Sequence, residues 1–239
     1  AGMVFSNHVT TVSPTYAREI CTPEFGYRFE GVLGALGDRL TGILNGIDLD
    51  VWNPQTDEYI VQNYSVDNNF IEGKFANKKD LLGRAGLAQG DAPLLGFVGR
   101  LVEQKGVDLI TDMLPQLFEN TNANMVLLGS GHMAYETSLM DLAARYPERL
   151  HVHIGYSESL AHQIEAGADM FIMPSRFEPC GLNQMYSLRY GTPPVVNNTG
   201  GLADTVVDVS LKTLQDKTAT GFVVKRADSE ALYSTILNA

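Results

Sequence analysis

The sequence predicts an α/β domain built on a doubly wound, mostly parallel sheet of the Rossmann-like type. Six short apolar runs rich in Val, Ile, Leu or Phe follow one another from about residue 93 onward. Amphipathic stretches of helical length separate these runs, and Gly, Pro, Ser or Asn stands near most of their ends. Strand–helix alternation of this length is typical of a parallel sheet that is covered by helices on both faces.

The elements follow in a regular order. Strands are predicted at 93–98, 124–128, 150–154, 169–173, 193–196 and 221–224, and helices at 107–119, 132–146, 157–167, 180–190, 201–208 and 228–237. Ser157 and Asp228 stand where helix N-caps belong, and Gly167 and Gly191 stand where helices end. These end signals support the helices independently of the apolar runs.

The first 92 residues are less regular. They predict a strand at 8–13, a short helix at 14–20 with Pro14 in its first turn, and a glycine-rich irregular connector at 21–42. A new segment begins at residue 43, and 70–85 is a lysine-bearing helix. We therefore expect residues 1–42 to be the end of a preceding domain and 43–239 to be the main domain. The absence of an initiator Met predicts an excised piece of a longer protein.

The composition excludes several classes of protein. Asp and Glu number 28 against 17 Lys and Arg, which gives a formal net charge of −11 and argues against nucleic acid or an anionic membrane as partner. The two cysteines, Cys21 and Cys180, exclude a disulfide scaffold and fit a reducing compartment. No apolar run reaches the roughly 18 residues that span a bilayer.

The loops that follow the strands are the expected ligand site, because ligands of open α/β sheets bind at the carboxyl ends of the strands. After the strand at 93–98, Arg100 and Lys105 flank a short loop between glycines. A forked guanidinium and a point-charge ammonium together suit a diphosphate. The alternative is that both are solvated surface cations.

The loop after the next strand matches the dinucleotide fingerprint G-x-G-x-x-A at residues 129–134. A nicotinamide enzyme would want an acidic residue at the end of the following strand, where this sequence has Gly155 and Tyr156. Tyr156 is an aromatic side chain that could stack on a base. A tight strand-to-helix turn is the alternative interpretation of the two glycines.

Two further loops add polar groups to the same edge. Pro179 predicts a helix that starts near Cys180, which would place Glu178 at the positive end of the helix dipole or make it a simple capping carboxylate. Gly200 and Gly201 would allow a close backbone approach to phosphate, although paired glycines more often form a turn.

A metal site is not predicted. The five histidines show no spacing of a known metal motif, and His151 and His153 alternate on one predicted strand, where a structural role is expected. Cys180 as a thiol nucleophile lacks a supporting His and Asn pattern, so packing is its expected role.

At these residues the sequence resembles the bacterial glycogen synthases and plant starch synthases, which share the two-domain GT-B fold. The resemblance covers nearly the whole chain in the family's order. It is carried by VSPTYAREI at 12–20, ILNGID at 43–48, WNP at 52–54, GRLVEQKG at 99–106, SRFEPCGLNQ at 175–184, YGT at 190–192 and TGGLADTV at 199–206. The resemblance implies that 1–42 ends the acceptor-side N-terminal domain and that 43–239 is the C-terminal nucleotide-sugar domain, incomplete at its end.

The resemblance implies a retaining transfer of glucose from ADP-glucose to the non-reducing end of an α-1,4-glucan, with ADP as product and no cofactor. It places the parent enzyme in the bacterial cytoplasm or the plastid stroma. The expected partners are the nucleotide sugar, the glucan and the N-terminal domain of the same protein. Two other functions stay open: a non-catalytic nucleotide-binding module and a nicotinamide-dependent oxidoreductase.

The resemblance also implies a role for each matching residue. Arg100 and Lys105 would bind the donor phosphates, and Glu178 would lie against the glucose ring near the anomeric carbon. Tyr156 would form the wall of the adenine site, and Asn45 would lie at the interdomain hinge. The other implied substrate-binding residues are Gly129, Cys180, Gly181, Leu182, Asn183, Thr199, Gly200 and Gly201.

The sequence departs from the wider family in two respects. Many related retaining transferases carry a second glutamate eight positions after the first, where this chain has Tyr186, as glucan synthases commonly lack that glutamate. The lysine-bearing Gly-Gly-Leu motif of the N-terminal domain is absent from this chain. We therefore expect these 239 residues to bind the donor and to show little or no turnover alone.

Overall fold

The computed structural model describes residues 2–239 and confirms the doubly wound α/β fold. Six parallel strands form the main sheet in the order β5-β4-β3-β6-β7-β8, and two more form a small parallel sheet. The strands are β1 Val9–Val12, β2 Leu40–Ile43, β3 Leu94–Val98, β4 Asn124–Gly129, β5 Leu150–Ile154, β6 Met170–Met173, β7 Pro194–Asn197 and β8 Phe222–Val224. Each strand predicted between 93 and 224 is present, with bounds shifted by one residue at most.

The helices are α1 Gly2–Phe5, α2 Pro14–Glu19, α3 Glu30–Gly34, α4 Phe70–Ala85, α5 Val107–Asn120, α6 Met133–Arg145, α7 Glu158–Gly167, α8 Asn183–Arg189, α9 Gly200–Thr205, α10 Leu211–Gln215 and α11 Ser229–Leu237. The predicted caps are confirmed, because Ser157 accepts from the Leu160 N–H and Asp228 from the Ala231 N–H. Within residues 2–239, no helix is long and apolar enough to cross a membrane.

The central strands are buried on both faces. Met125 and Leu127 of β4 pack into the core that contains α5 and α11, whereas Val126 and Leu128 pack into the core that contains α4 and α7. Because side chains alternate across a strand, burial of both faces requires an unbroken apolar run. This requirement explains why the unbroken apolar run at 124–128 was enough to predict β4 in the sequence.

The strand order opens a cleft between β3 and β6. From β3 the chain adds β4 and β5 on one side, and it then returns to add β6, β7 and β8 on the other. The loops after β3 and β6 therefore run in opposite directions and leave a crevice at the carboxyl edge of the sheet. The loops that carry Arg100, Lys105 and Glu178 lie at this switch point.

The connector predicted as irregular at 21–42 is in fact partly regular, and that prediction was wrong. It contains α3 and most of β2, which pairs in parallel with β1 from Val9↔Leu40 to Val12↔Ile43. Leu33 and Leu36 form a small buried hydrophobic cluster with Ile20. This pairing with β1, distant along the chain, stabilises the segment despite its glycines.

The N-terminal segment docks on α9 through polar contacts. Asp204 accepts hydrogen bonds from the Ser13 hydroxyl, from the Thr15 hydroxyl at 2.6 Å and from the Thr15 N–H at 2.9 Å. Burial raises the pKa of Asp204, but these hydrogen bonds outweigh it and hold that pKa below its usual value. The carboxylate thus stays ionised and joins the two parts of the chain.

The segment that crosses from β2 to α4 is anchored by a cluster of stacked aromatic rings and buried hydrogen bonds. The Trp52 ring stacks between His162 at 3.9 Å and Tyr186 at 3.8 Å between ring centroids. Asp57 lies behind it and accepts from the Tyr190 hydroxyl at 2.5 Å and from His162 Nδ1 at 2.8 Å. Tyr186 thus takes a packing role at the position where many related transferases have a second glutamate.

Candidate active site

A lysine–carboxylate pair lies at the centre of the cleft. Lys105 Nζ donates to Glu178 Oε2, and the Ser175 hydroxyl donates to the same oxygen at 3.0 Å. The side chains of Lys105 and Glu178 are only 19% and 8% exposed. A charge pair shielded from water keeps much of its electrostatic strength, which suits it to act on a charged ligand.

Gln104 ties the two loops together, and sequence analysis missed it. The Gln104 side chain donates through Nε2 to the Phe177 carbonyl at 2.9 Å, and the Gln104 backbone carbonyl accepts from the Arg176 N–H at 2.9 Å. Its Oε1 accepts from the exposed guanidinium of Arg100 at 3.3 Å. The position of Gln104 between the two predicted cations was the only signal in the sequence.

The predicted helix start near Cys180 was wrong, because α8 begins at Asn183. Gly181 has a φ of +73°, so the chain turns before the helix starts, and Gln184 Nε2 closes the turn on the Cys180 carbonyl at 3.0 Å. Glu178 is therefore outside the first turn of α8, and the Lys105 ammonium replaces the helix dipole as its positive partner.

The other predicted residues of this turn are placed as follows. Cys180 is buried, so it packs, and Leu182 is partly exposed directly before α8. Asn183 Nδ2 donates to the Val98 carbonyl at 2.7 Å, which joins α8 to the end of β3. Asn45 lies exposed just after β2. The structure thus brings Cys180, Gly181, Leu182 and Asn183 beside Glu178, and it leaves Asn45 on the crossing segment.

The backbone of the paired glycines, Gly200 and Gly201, packs closely against the backbone of the loop that carries Glu178. A Cβ on Gly200 would stand 1.9 Å from the Glu178 carbonyl oxygen, and one on Gly201 would stand 2.0 Å from the Cys180 carbonyl oxygen. The Gly201 N–H donates to the Glu178 carbonyl at 3.0 Å. The glycines thus hold the backbone that carries the catalytic carboxylate candidate.

We predict that Gly201→Ala lowers the free energy of unfolding by about 1–3 kcal/mol, since the added methyl forces backbone apart in a packed site. Chemical denaturation measures the change. Gly34→Ala is the matched control, because a Cβ there meets no atom within 4 Å. Equal stabilities of the two variants would contradict the packing role.

A second carboxylate, which sequence analysis missed, reaches the groups predicted to hold phosphate. Glu19 Oε1 accepts from the Thr199 hydroxyl at 3.0 Å and from the Gly200 N–H at 2.9 Å. The N-terminal segment also packs aromatic rings on Phe177, with Tyr16 at 5.4 Å and Phe25 at 5.5 Å between centroids. Residues of the N-terminal segment therefore complete one side of the cleft.

A pocket of about 240 Å³ adjoins the cleft on the β4 and β5 side. Arg100, Gly129 and Tyr156 are among its lining residues, and Tyr156 is 83% exposed at its margin. This volume fits a planar base rather than a whole nucleotide sugar. The site residues predicted from the loops after β3, β4 and β5 thus meet at one pocket.

The glycine motif at 129–134 is a packing device. A Cβ on Gly129 would stand 2.0 Å from the Gly99 carbonyl oxygen, and one on Gly131 would stand 2.3 Å from the Leu101 carbonyl oxygen. The two glycines therefore let neighbouring loops touch, which is the tight-turn interpretation and disfavours a nicotinamide enzyme. Among residues 2–239, no group of three or more His, Cys, Asp and Glu side chains could hold a metal ion.

Two family models match the chain. The model described as "Glycosyl transferases group 1" matches residues 79–239, and the model described as "Starch synthase catalytic domain" matches residues 1–35. The glycogen synthase of Hydrogenovibrio crunogenus is 56% identical over 245 residues, covering 100% of this chain and 50% of that protein. The glycogen synthase of Halorhodospira halophila is 52% identical, covering 98% of this chain and 48% of that protein.

Solved structures agree with these relatives. The catalytic domain of starch synthase IV from Arabidopsis thaliana, bound to ADP and acarbose, has a TM-score of 0.91 and is 37% identical, covering 99% of this chain and 48% of that chain. The sucrose-phosphate synthase from Thermosynechococcus elongatus has a TM-score of 0.64 at 20% identity, covers 98% of this chain and 49% of its own, and shares the fold.

The fold and the cleft define the class as GT-B glycosyltransferase. The chain belongs to the group 1 glycosyl transferases, and the predicted resemblance to glycogen and starch synthases is confirmed. The chain spans about half the length of the curated relatives it matches.

Proposed function

We propose that the parent protein is a retaining glucosyltransferase of glycogen or starch synthesis, that this chain holds its donor site, and that ADP-glucose is the donor. The acceptor in this proposal is the non-reducing end of an α-1,4-glucan, and no cofactor takes part. The similarity to bacterial glycogen synthases supports the reaction class and favours the bacterial cytoplasm over the plastid stroma.

The observation that carries the proposal is the shielded Lys105–Glu178 pair beside a pocket of base size. The pair offers a positive and a negative group side by side at the cleft. During transfer, the bond between the glucose C1 and the diphosphate oxygen breaks, a bond from C1 to the acceptor 4-oxygen forms, and the proton of the acceptor 4-hydroxyl passes to the departing diphosphate. Negative charge then grows on the diphosphate and positive charge on C1.

Each developing charge finds an opposite fixed charge in this arrangement. Lys105 and Arg100 face the departing diphosphate, and Glu178 faces the anomeric carbon. Preorganised charges in a site that excludes water stabilise a transition state more than the same charges in water. Gln104 holds Arg100 and the Phe177 backbone in one network, so the two loops keep their relative positions.

The predicted test is an ADP titration by calorimetry on this chain, comparing Lys105→Ala with wild type. We expect saturable binding that weakens at least 10-fold in the variant, because one charge-assisted contact to phosphate contributes about 1.5–3 kcal/mol. Lys212→Ala is the matched control, since Lys212 is an exposed lysine on α10.

Equal ADP affinity in Lys105→Ala and wild type would refute the phosphate assignment. The second candidate, a nucleotide-binding module without catalysis, predicts the same binding result. Transfer of labelled glucose to glycogen by the full-length parent separates the two, because only the transferase incorporates label.

A further inference from the structure

Tyr156 is poorly fixed by packing. Its side chain is 83% exposed at the margin of the 240 Å³ pocket. An exposed aromatic ring samples several rotamers, and a ligand that stacks on one of them must bear the entropic cost of ordering it. A contact at the far end of the ring would hold it over the pocket.

Glu158 provides that contact. The Tyr156 hydroxyl donates to Glu158 Oε2, and this hydrogen bond to Glu158 raises the pKa of the hydroxyl. Glu158 opens α7, where Ser157 is the N-cap, so its backbone is fixed by a capped helix. The carboxylate that accepts from Tyr156 is therefore carried by a fixed backbone position, two residues after the ring.

The other oxygen of Glu158 faces the anchor of the crossing segment. Oε1 lies 4.0 Å from Nε2 of His162, whose side chain is 1% exposed and whose Nε2 has no hydrogen-bond partner among residues 2–239. His162 Nδ1 is held by Asp57 at 2.8 Å. Glu158 could therefore act through Tyr156 or through His162, and an experiment must separate the two.

We propose that Glu158 is a positioning residue for nucleobase recognition, which it serves by holding the Tyr156 ring over the pocket through the Tyr156 hydroxyl. The inference rests on the proposed function, because it needs a nucleotide whose base enters that pocket. Its effect is confined to ligands with a base, since the diphosphate is held by Arg100 and Lys105.

The sign of the effect distinguishes positioning from simple electrostatics. Removing a negative charge near an anionic ligand strengthens binding, so electrostatics alone predicts tighter ADP binding in both Glu158→Ala and Glu158→Gln. Positioning predicts weaker binding in Glu158→Ala only, because the glutamine amide oxygen still accepts from the Tyr156 hydroxyl. The two models therefore disagree in direction.

The experiment is a calorimetric double-mutant cycle on this chain with ADP and with inorganic pyrophosphate as probes. We expect Glu158→Ala and Tyr156→Phe each to weaken ADP binding about 2- to 10-fold, as for one side chain that must be ordered on binding. The double variant should bind no more weakly than either single variant. Glu158→Gln should bind ADP like wild type, and no variant should weaken pyrophosphate binding.

Glu148→Ala is the control for charge removal, because Glu148 is exposed. The inference is overturned if Glu158→Ala binds ADP as tightly as wild type, or if its loss persists in the Tyr156→Phe background, which would assign the effect to His162. If wild type binds no ADP, the proposed function fails and the inference fails with it. If ADP binding depends on Lys105 and not on Glu158, only the inference fails.

Discussion

Replacing Glu178 by glutamine in the full-length parent is expected to lower kcat by about 10²–10³-fold while ADP affinity stays within about threefold, as for loss of one preorganised transition-state contact. Glutamine keeps the size of the side chain and still accepts from the Ser175 hydroxyl, which donates at 3.0 Å to Glu178. The substitution removes the negative charge that is proposed to face the anomeric carbon, together with the ion pair to Lys105. Initial rates of glucose incorporation into glycogen, over a range of donor concentrations, measure the effect.

The matched control for this variant is Glu148→Gln, which removes the same charge from an exposed site away from the cleft. A kcat of Glu178→Gln within threefold of wild type would place Glu178 away from the reacting carbon. A large rise in KM at constant kcat would make it a ground-state binding residue instead.

Asp57→Ala is expected to cause the largest loss of stability, about 3–5 kcal/mol, because several buried donors lose their acceptor at a cost of about 1–3 kcal/mol each. The side chains of Asp57 and His162 are each 1% exposed, and the Tyr190 ring is fully buried. The variant leaves the Tyr190 hydroxyl, His162 Nδ1 and the Tyr59 N–H without their acceptor. For a domain of this size the melting temperature should fall by roughly 6–20 °C.

The pH dependence of this effect has a defined sign. Burial raises the pKa of Asp57, but hydrogen bonds from His162, Tyr190 and the Tyr59 N–H outweigh it and lower that pKa below its usual value. A lowered pKa contributes stability above the unfolded-state pKa of about 3.9, and this contribution is lost as the pH falls through the folded-state pKa.

The stability difference between wild type and Asp57→Ala should therefore shrink below about pH 4. Denaturant unfolding at several pH values measures it, and Asp67→Ala is the exposed-aspartate control. A difference that grows in acid would contradict the assignment of an ionised Asp57.

Most of the fold was predictable because its signals are local. Strands such as β3 and β6 are unbroken apolar runs, because burial on both faces of a parallel sheet leaves few polar positions. The segment 21–42 was not predictable in the same way. Its strand β2 forms by pairing with β1, which lies far away along the chain. Such pairing produces no hydrophobic periodicity in the glycine-rich sequence of the segment itself.

The sequence allowed us to predict which residues belong to the site, but not which of them contact one another. Arg100, Lys105 and Glu178 follow from the rule that ligands meet the carboxyl ends of strands. The pairing of Lys105 with Glu178 spans 73 residues, and the contact of Glu19 with Gly200 spans 181. Contacts of this separation depend on the finished sheet, so the contacts of Glu19 and Gln104 were not predictable, although both residues lie in strings that carry the resemblance.

The docking of the N-terminal segment on α9 has a consequence for synthesis of the chain. Ser13 precedes its partner Asp204 by 191 residues. At about 5–20 residues per second, a ribosome needs roughly 10–40 s to deliver that partner. During this interval α9 has not yet been synthesised, so the contacts of the N-terminal segment with α9 form only after most of the chain has been made.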